Sequence, residues 1–194
     1  MDSYIVLDLE WNQSPNGREY SNKDLPFEII EIGALKLNCD LEIVDEFHRV
    51  VKPTVYKKMH FKVHEVVQIG IWELKKKGVP FVDAINDFFE FCEMDNKQKK
   101  KILCTWGNLD LVELQRNIKF YGVENKFEYP LFYYDLQKLF NIRYSNGEQD
   151  RIPLERAVQI LGIDIRRPFH HAFDDAYYTA RVMQRMDFWP VSEY

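Results

Sequence analysis

The stretch that decides the fold is Tyr4–Trp11, which reads YIVLDLEW. Its apolar and β-branched residues are typical of a buried strand, in which successive side chains point to opposite faces of the sheet. Asp8 and Glu10 therefore share one face, and Leu7 and Leu9 share the other. A buried carboxylate without a partner costs several kcal/mol, so this pair needs a cation or a hydrogen-bond network. The open alternative is a polar strand end with two acids in water, because the motif is short.

The size and composition of the chain limit the classes of protein to which it can belong. Its 194 residues are enough for one domain with a buried core, so we expect residues 1–194 to form a single domain. Apolar residues make up 46% and charged residues 29%, which indicates a globular domain rather than a disordered chain. No run approaches about 18 apolar residues and no signal peptide is recognisable, so a cytoplasmic protein without a membrane partner is expected.

Net charge and cysteine content exclude two further classes. The formal charge of −5 argues against a protein that coats nucleic acid by bulk electrostatics, but it permits an enzyme that binds a few nucleotides. The lysine clusters at residues 57–58, 75–77 and 97–101 are expected to be solvated. The three cysteines are widely spaced, so neither a disulfide framework nor a zinc ribbon is indicated. We expect Cys39, Cys92 and Cys104 to be small buried residues.

The order of the predicted elements indicates an α/β domain. Polar residues and the turn signal Pro15-Asn16-Gly17 predict an exposed loop over residues 12–26. After the first strand, further strands are predicted over residues 27–37, 41–51, 102–106 and 132–134. Helices are predicted over residues 81–93, 109–121, 136–140, 152–161 and 172–186, and residues 55–70 are expected to be a loop with a short helix. This order predicts a mixed sheet flanked by helices.

Two further acids complete a candidate metal site. Asp110 lies in the first turn of a predicted helix just after a buried strand, and Asp175 lies in the first turn of the last helix. Together with Asp8 and Glu10 they form a set of hard oxygen donors without cysteine, which suits Mg²⁺ or Mn²⁺ rather than zinc. Two such ions about 4 Å apart would activate a water and stabilise the leaving oxygen of a phosphodiester, and a nearby histidine could take the proton of the water.

His170 is predicted to lie in the loop before the last helix. On one continuous helix, the five positions between His170 and Asp175 would place the two side chains roughly 140° apart. Pro168 disfavours helical conformation of the residue before it, so the chain should enter the helix late and leave His170 free to reach the carboxylates. His171 is expected to point elsewhere, as a surface or capping residue.

These motifs resemble those of the DEDDh family of 3′–5′ exonucleases, which have the ribonuclease H-like fold. The resemblance rests on the D-x-E pair, on the later Asp110 and on the H-x-A-x-x-D-A segment that begins at His170, and it covers nearly the whole chain. The EIIE core at residues 28–31 and Arg167–Pro168 before the histidine resemble the branch of RNA-interference-limiting exonucleases and bacterial sporulation inhibitors. The family implies a five-stranded mixed sheet.

The resemblance also implies roles for five residues. Asp8, Glu10 and Asp175 would bind the tighter of two Mg²⁺ ions, for which Mn²⁺ can substitute. Asp8 and Asp110 would serve the second ion, and His170 would be the general base. The implied reaction is hydrolysis from the 3′ end of single-stranded RNA or short oligonucleotides to nucleoside 5′-monophosphates. The alternatives are a DNA-directed repair exonuclease and a non-catalytic module that binds nucleic acid or protein on the same scaffold.

Three residues are candidates for contacts with the substrate. Trp11 and Asn12 follow the acidic pair, where many family members have small residues. Trp11 has the strand parity of Leu7 and Leu9, so a core position competes with stacking on a terminal base. The Thr-Gly-Ile-like segment with which family members wedge a base is not recognisable within residues 60–70. Phe61 is a candidate to supply this contact, with Val63 as the alternative.

Overall fold

A computed structural model of the protein describes residues 3–98, 100–127, 132–145 and 151–186. Its strands are β1 (Ser3–Gln13), β2 (Phe27–Leu37), β3 (Ile43–Val50), β4 (Lys101–Thr105) and β5 (Tyr133–Asp135). They form one sheet in the order β3-β2-β1-β4-β5. The pairs β1–β2 and β2–β3 are antiparallel, whereas β1–β4 and β4–β5 are parallel. The prediction of a five-stranded mixed sheet is therefore confirmed.

Helices cover both faces of the sheet. They are α1 (Phe61–Val67), α2 (Ile71–Lys77), α3 (Phe81–Phe91), α4 (Leu109–Phe120), α5 (Leu136–Tyr144), α6 (Leu154–Ile160) and α7 (Ala172–Arg185). Residues of α3 and α4 pack on one face, around Ile5, Leu7 and Leu9. Residues of α5 and α7 pack on the other face around Val6, and α6 packs against these two helices. In the described ranges, no helix is long and apolar enough to cross a membrane.

The alternation of β1 places the two carboxylates on the face that α7 covers. Leu7 and Leu9 lie in the core with α3 and α4, as the strand pattern predicts, and Asp8 and Glu10 point the other way. The register with β2 shifts between Glu10 and Trp11, because Ile30 of β2 has no paired residue in β1. An extra residue of this kind bends and twists the strand that carries it, so the irregularity lies in β2, next to Glu31.

The N-terminal end of α7 lies directly on β2 at Gly33, which pairs with Asp8. A Cβ at position 33 would lie 2.2 Å from the carbonyl carbon of Ala172, so a helix can approach this closely only over glycine. This contact brings the first turn of α7 to the carboxylates of β1.

Several sequence predictions differ from the structure. The predicted loop over residues 12–26 is shorter, because β1 continues through Gln13 and a 3-10 helix spans Arg18–Tyr20. The sequence pattern does not predict α2. Leu74 is the one buried residue of this helix and three lysines follow it, so the helix has no periodic apolar face. Cys39 is exposed in the β2–β3 connection, which contradicts the expectation of burial, whereas Cys92 and Cys104 are buried.

The remaining elements agree in type, with differences at their ends. β2 has its predicted bounds, and the other strands, α3, α4 and α7 deviate by about two residues or fewer at either end. The helix α5 extends to Tyr144 rather than ending at residue 140. The helix α6 begins at Leu154 rather than at residue 152, because Pro153 adopts an extended conformation and occupies the N-cap position.

Candidate metal centre

The four predicted acids meet beside the second half of β1. Asp8 and Glu10 lie on β1, and Asp110 and Asp175 lie in the first turns of α4 and α7. Because β4 runs parallel to β1, the chain that leaves β4 enters α4 next to the carboxylates. The four acids are close enough to affect each other, because the charges of the other three each raise the pKa of Asp8.

Asp110 is fixed by a hydrogen bond to β1. The pairing of β1 with β4 ends at Val6, so the following backbone groups on that edge of β1 have no partner in β4. The amide of Leu9 donates instead to Oδ1 of the buried Asp110 at 3.2 Å. The carboxylate thus satisfies a buried backbone group that the sheet leaves open, and this bond sets its position beside Asp8.

His170 lies in the loop just before α7, as the position of Pro168 predicts. Its backbone amide donates to Oδ2 of Asp175 at 3.1 Å, and its φ of 68° turns the chain at the start of the helix. One potential ligand atom from each of Glu10, His170 and Asp175 lies within 4.8 Å of the other two. The exposed imidazole therefore meets the carboxylates at one site.

The loop that carries His170 is anchored to α7 by Tyr178, which is completely buried. The hydroxyl of Tyr178 accepts hydrogen bonds from the amides of Arg166 and Arg167 at 3.0 and 2.8 Å, and it donates to the carbonyl of Arg167 at 2.9 Å. The ring of Phe169 stacks on that of Tyr178, with centroids 4.6 Å apart. A buried side chain of the helix thus holds the loop in place up to the residue before His170.

Glu31 is a fifth acid at the site, and sequence analysis does not find it. It lies on β2 opposite Glu10 and is 2% exposed. Its carboxylate accepts a hydrogen bond from the amide of Ala172 at 3.3 Å and lies 2.6 Å from Nε2 of His48. Glu31 therefore fixes the start of α7. The available signal was a charged residue between two isoleucines in the middle of the strand.

His171 contacts Glu31 and is not a simple surface residue. Its Nδ1 lies 3.9 Å from Oε2 of Glu31, and its side chain is 28% exposed. It occupies the N-cap position of α7 without a capping hydrogen bond from its side chain. The structure thus separates the two adjacent histidines, because His170 faces Glu10 and Asp175 whereas His171 faces the acid on β2.

The three candidate substrate residues have different environments. Trp11 is half-buried and packs on the core beside Phe27, with ring centroids 5.9 Å apart, which supports the core reading. Asn12 is completely buried, and its amide group binds the carbonyl of Lys58 and the amide of His60, each at 3.0 Å. This burial contradicts a direct contact of Asn12 with the substrate and makes it the link between β1 and α1. Phe61 is 66% exposed at the first position of α1.

The four acids Asp8, Glu10, Asp110 and Asp175 each have a raised pKa. Burial is the main cause, and it raises the pKa of Asp8 well above its ordinary value. Burial and the charges of Asp175, Glu31 and Asp110 raise the pKa of Glu10 to about 8. The pKa of Asp110 and that of Asp175 rise to about 7, although hydrogen bonds from the amides of Leu9 and His170 oppose these shifts. Without a cation, the ionised carboxylates repel each other.

This donor set fits divalent cations that prefer oxygen ligands. Oδ1 of Asp175 is buried and has no hydrogen-bond partner among the described residues. A buried acceptor without a partner is costly, and a bound cation would satisfy it while neutralising the repulsion among the acids. Carboxylates without a thiolate suit Mg²⁺ or Mn²⁺.

The raised pKa values predict an unusual pH dependence of stability in the metal-free protein. The folded protein holds protons that the unfolded chain has released, so the free energy of unfolding should fall as the pH rises from about 4 toward 8. Urea unfolding in EDTA at several pH values measures this trend. Saturating Mg²⁺ should remove it, because the cation stabilises the ionised form, and Glu10→Gln should reduce it. A stability that increases over this range in EDTA would contradict the pKa assignment.

The fold and the site together define a class, the ribonuclease H-like hydrolases that use divalent metal ions. A family model described as "Exonuclease" (RNase_T) matches residues 5–183. The chain belongs to this exonuclease family, and its D-x-E, Asp110 and His170–Asp175 motifs make it a 3′–5′ exonuclease of the DEDDh type. The family depends on divalent metal ions, in agreement with the donor set.

Individual relatives agree with this assignment. The chain is 28% identical over 177 residues to the probable 3′–5′ exonuclease KapD of Bacillus subtilis, a match that covers 90% of this chain and 80% of KapD. The nuclease domain of 3′hExo, solved with bound rAMP, has a TM-score of 0.73 at 22% identity over 95% of this chain and 91% of that domain. Exonuclease I of E. coli, solved with a dA16 oligonucleotide, has a TM-score of 0.72 at 16% identity over 95% of this chain and 40% of that chain.

Proposed function

We propose that this exonuclease removes nucleotides from the 3′ end of single-stranded RNA or short oligonucleotides and releases nucleoside 5′-monophosphates. The observation that carries the proposal is the convergence of Glu10, His170 and Asp175 within 4.8 Å, with the unsatisfied Oδ1 of Asp175 among them. The similarity to 3′hExo, which was solved with rAMP, supports a ribonucleotide substrate.

The residues of the site have different roles in the proposed hydrolysis. We assign two Mg²⁺ ions, with Mn²⁺ as a substitute, to Asp8, Glu10, Asp110 and Asp175. When bound, divalent ions supply a water of lowered pKa and compensate charge on the phosphate. His170 is exposed beside Glu10 and Asp175, where its imidazole can accept the proton of the attacking water. Glu31 and Tyr178 hold α7 and the histidine loop in position, and the exposed ring of Phe61 is available to stack on a base.

The substrate is tested with RNA and DNA of one sequence, each labelled at its 5′ end, in Mg²⁺ and then in Mn²⁺. We expect a ladder that shortens by one nucleotide at a time, faster for RNA than for DNA, and no reaction in EDTA. Cleavage of a circular strand, or degradation of a 3′-phosphate end as fast as a 3′-hydroxyl end, would contradict the proposed function. Equal rates on both polymers would contradict the preference for RNA.

A further inference from the structure

The helices α1 and α2 carry two exposed aromatic side chains. Trp72 on α2 is 80% exposed, which is the largest exposure of any large apolar side chain among the described residues, and Phe61 on α1 is 66% exposed. The exposure of so much apolar surface is unfavourable in water, and exposed patches of this kind mark binding surfaces. The helix α2 packs through Leu74 and Ile71, and Trp72 is not among the residues of that apolar cluster.

Positive charge is concentrated on these two helices and on the residues just before them. Residues 57–77 contain six lysines and two glutamates, a net charge of +4 within a chain of net −5, and four of these lysines lie on the helices. Lys77 is paired with Glu73 at 2.7 Å, but Lys62 and Lys76 are exposed and Lys75 is half-buried beside Trp72. A lysine run alone is ordinarily a solvated face. Here the run coincides with exposed aromatic rings, and this combination is typical of surfaces that bind single-stranded nucleic acid.

Each exposed ring has an ammonium group beside it. Nζ of Lys75 lies 5.4 Å from the ring centroid of Trp72, and Nζ of Lys62 lies 6.0 Å from that of Phe61. In a single strand, bases and phosphates alternate at short distances. A ring that stacks on a base therefore has a cation in reach of the adjoining phosphate.

The two helices are attached to the strands β1 and β2, which carry acids of the metal centre. Asn12, two residues after Glu10, holds the backbone of Lys58 and His60, from which α1 begins. Leu74 of α2 packs with Val67 of α1 on Ile30, the neighbour of Glu31 in β2. The aromatic and basic residues thus belong to a unit that is fixed to the same two strands as the carboxylates.

We propose that Phe61, Lys62, Trp72, Lys75 and Lys76, here called the Trp72 surface, form a binding site for the part of a single-stranded nucleic acid that precedes its 3′ end. Trp72 stacks on a base, and Lys75 and Lys76 contact phosphates. This proposal rests on the proposed function, in which the 3′ end lies at the carboxylates. It gives the enzyme a preference for strands long enough to reach from the metal centre to α2.

Binding in Ca²⁺, measured by fluorescence anisotropy with labelled single strands from a dinucleotide to about 16 nucleotides, tests the Trp72 surface. The quantity compared is the affinity for the longest strand divided by the affinity for the dinucleotide. Trp72→Ala should lower this ratio about tenfold, and Trp72→Phe should lower it less because phenylalanine keeps a stacking face. The double variant Lys75→Ala/Lys76→Ala should reduce the slope of log K against log salt concentration by about 0.7 for each lysine. A substitution that merely destabilises the fold would not change this slope.

Matched controls are Phe120→Ala and Lys119→Ala, an exposed aromatic residue and an exposed lysine at the end of α4. Neither should change the affinity ratio or the salt slope. An unchanged ratio in Trp72→Ala would overturn the proposal, and so would a loss of self-association in that variant without a loss of nucleic-acid affinity. Binding and hydrolysis are measured separately. A wild-type protein that binds long strands through the Trp72 surface but hydrolyses neither RNA nor DNA would therefore refute the proposed function and not the binding site.

Discussion

Replacing Asp8 with alanine should lower the turnover of a 3′-end-labelled oligonucleotide by at least about 10³-fold, because several kcal/mol of transition-state stabilisation depend on the metal ions. Asp8 lies between the acids of β1, α4 and α7, and each of them raises its pKa. Its removal should therefore deprive the site of divalent ions rather than weaken a single contact. Mn²⁺ titration of the variant, followed by calorimetry, measures that loss separately from the rate.

The same substitution should leave the metal-free fold intact or make it more stable. In EDTA the ionised form of Asp8 is disfavoured by burial and by the charges of its neighbours, so deleting its carboxylate relieves repulsion. Asp8→Asn keeps the volume of the side chain and separates this effect from that of a cavity. Asp87→Ala, which removes a half-buried acid on α3 that is paired with Arg49, should change neither activity nor metal affinity. Full activity of the wild-type protein in excess chelator would contradict the two-metal mechanism.

His170→Ala should lower the rate by about 10²- to 10⁴-fold, which is the usual contribution of a general base. The imidazole is exposed beside Glu10 and Asp175, whereas the ring of His171 is turned toward Glu31. The substitution His171→Ala should therefore cost much less, through a small displacement of α7. Mn²⁺ affinity should survive in His170→Ala, because His170 is assigned as a base and not as a ligand.

Two further variants sharpen the comparison of the histidines. His170→Asn removes the base but tolerates the left-handed backbone at this position, so it excludes backbone strain as the cause of the loss. His64→Ala, on the exposed side of α1, should have no effect. Equal losses of turnover in the His170 and His171 variants would show that the assignment is wrong.

The convergence of the four acids could be predicted in part because the position of each one follows local rules. A strand of period two puts Asp8 and Glu10 on one face, and the first turns of two helices carry the other two acids, whatever the rest of the fold does. The loop position of His170 follows from Pro168, two residues before it. The sequence did not reveal which side of the sheet α7 would cover, since this depends on the contact of Ala172 with Gly33.

The residues that were missed or misassigned from the sequence are polar groups whose partners are distant in the chain. Asn12 reads as the start of a polar loop and as a candidate substrate contact, but its hydrogen bonds with Lys58 and His60 make it a buried connector. Glu31 reads as one of three charged residues in a largely apolar strand, and its role depends on the amide of Ala172. Short-range patterns carry no information about such bonds. The same reason accounts for α2, whose single buried residue gives no helical periodicity.

The hydrogen bonds that position the metal centre join parts of the chain that the ribosome synthesises at different times. The amide of Leu9 binds Asp110 across 101 positions, and Glu31 binds the amide of Ala172 across 141 positions. A growing chain on the ribosome therefore displays Asp8 and Glu10 early but cannot cut nucleic acid until α7 has emerged and docked on β2. Contacts of such long range also slow folding. For the same reason, a protease that severs α7 from the sheet would inactivate the enzyme, because α7 carries Asp175 and holds its first turn against Glu31.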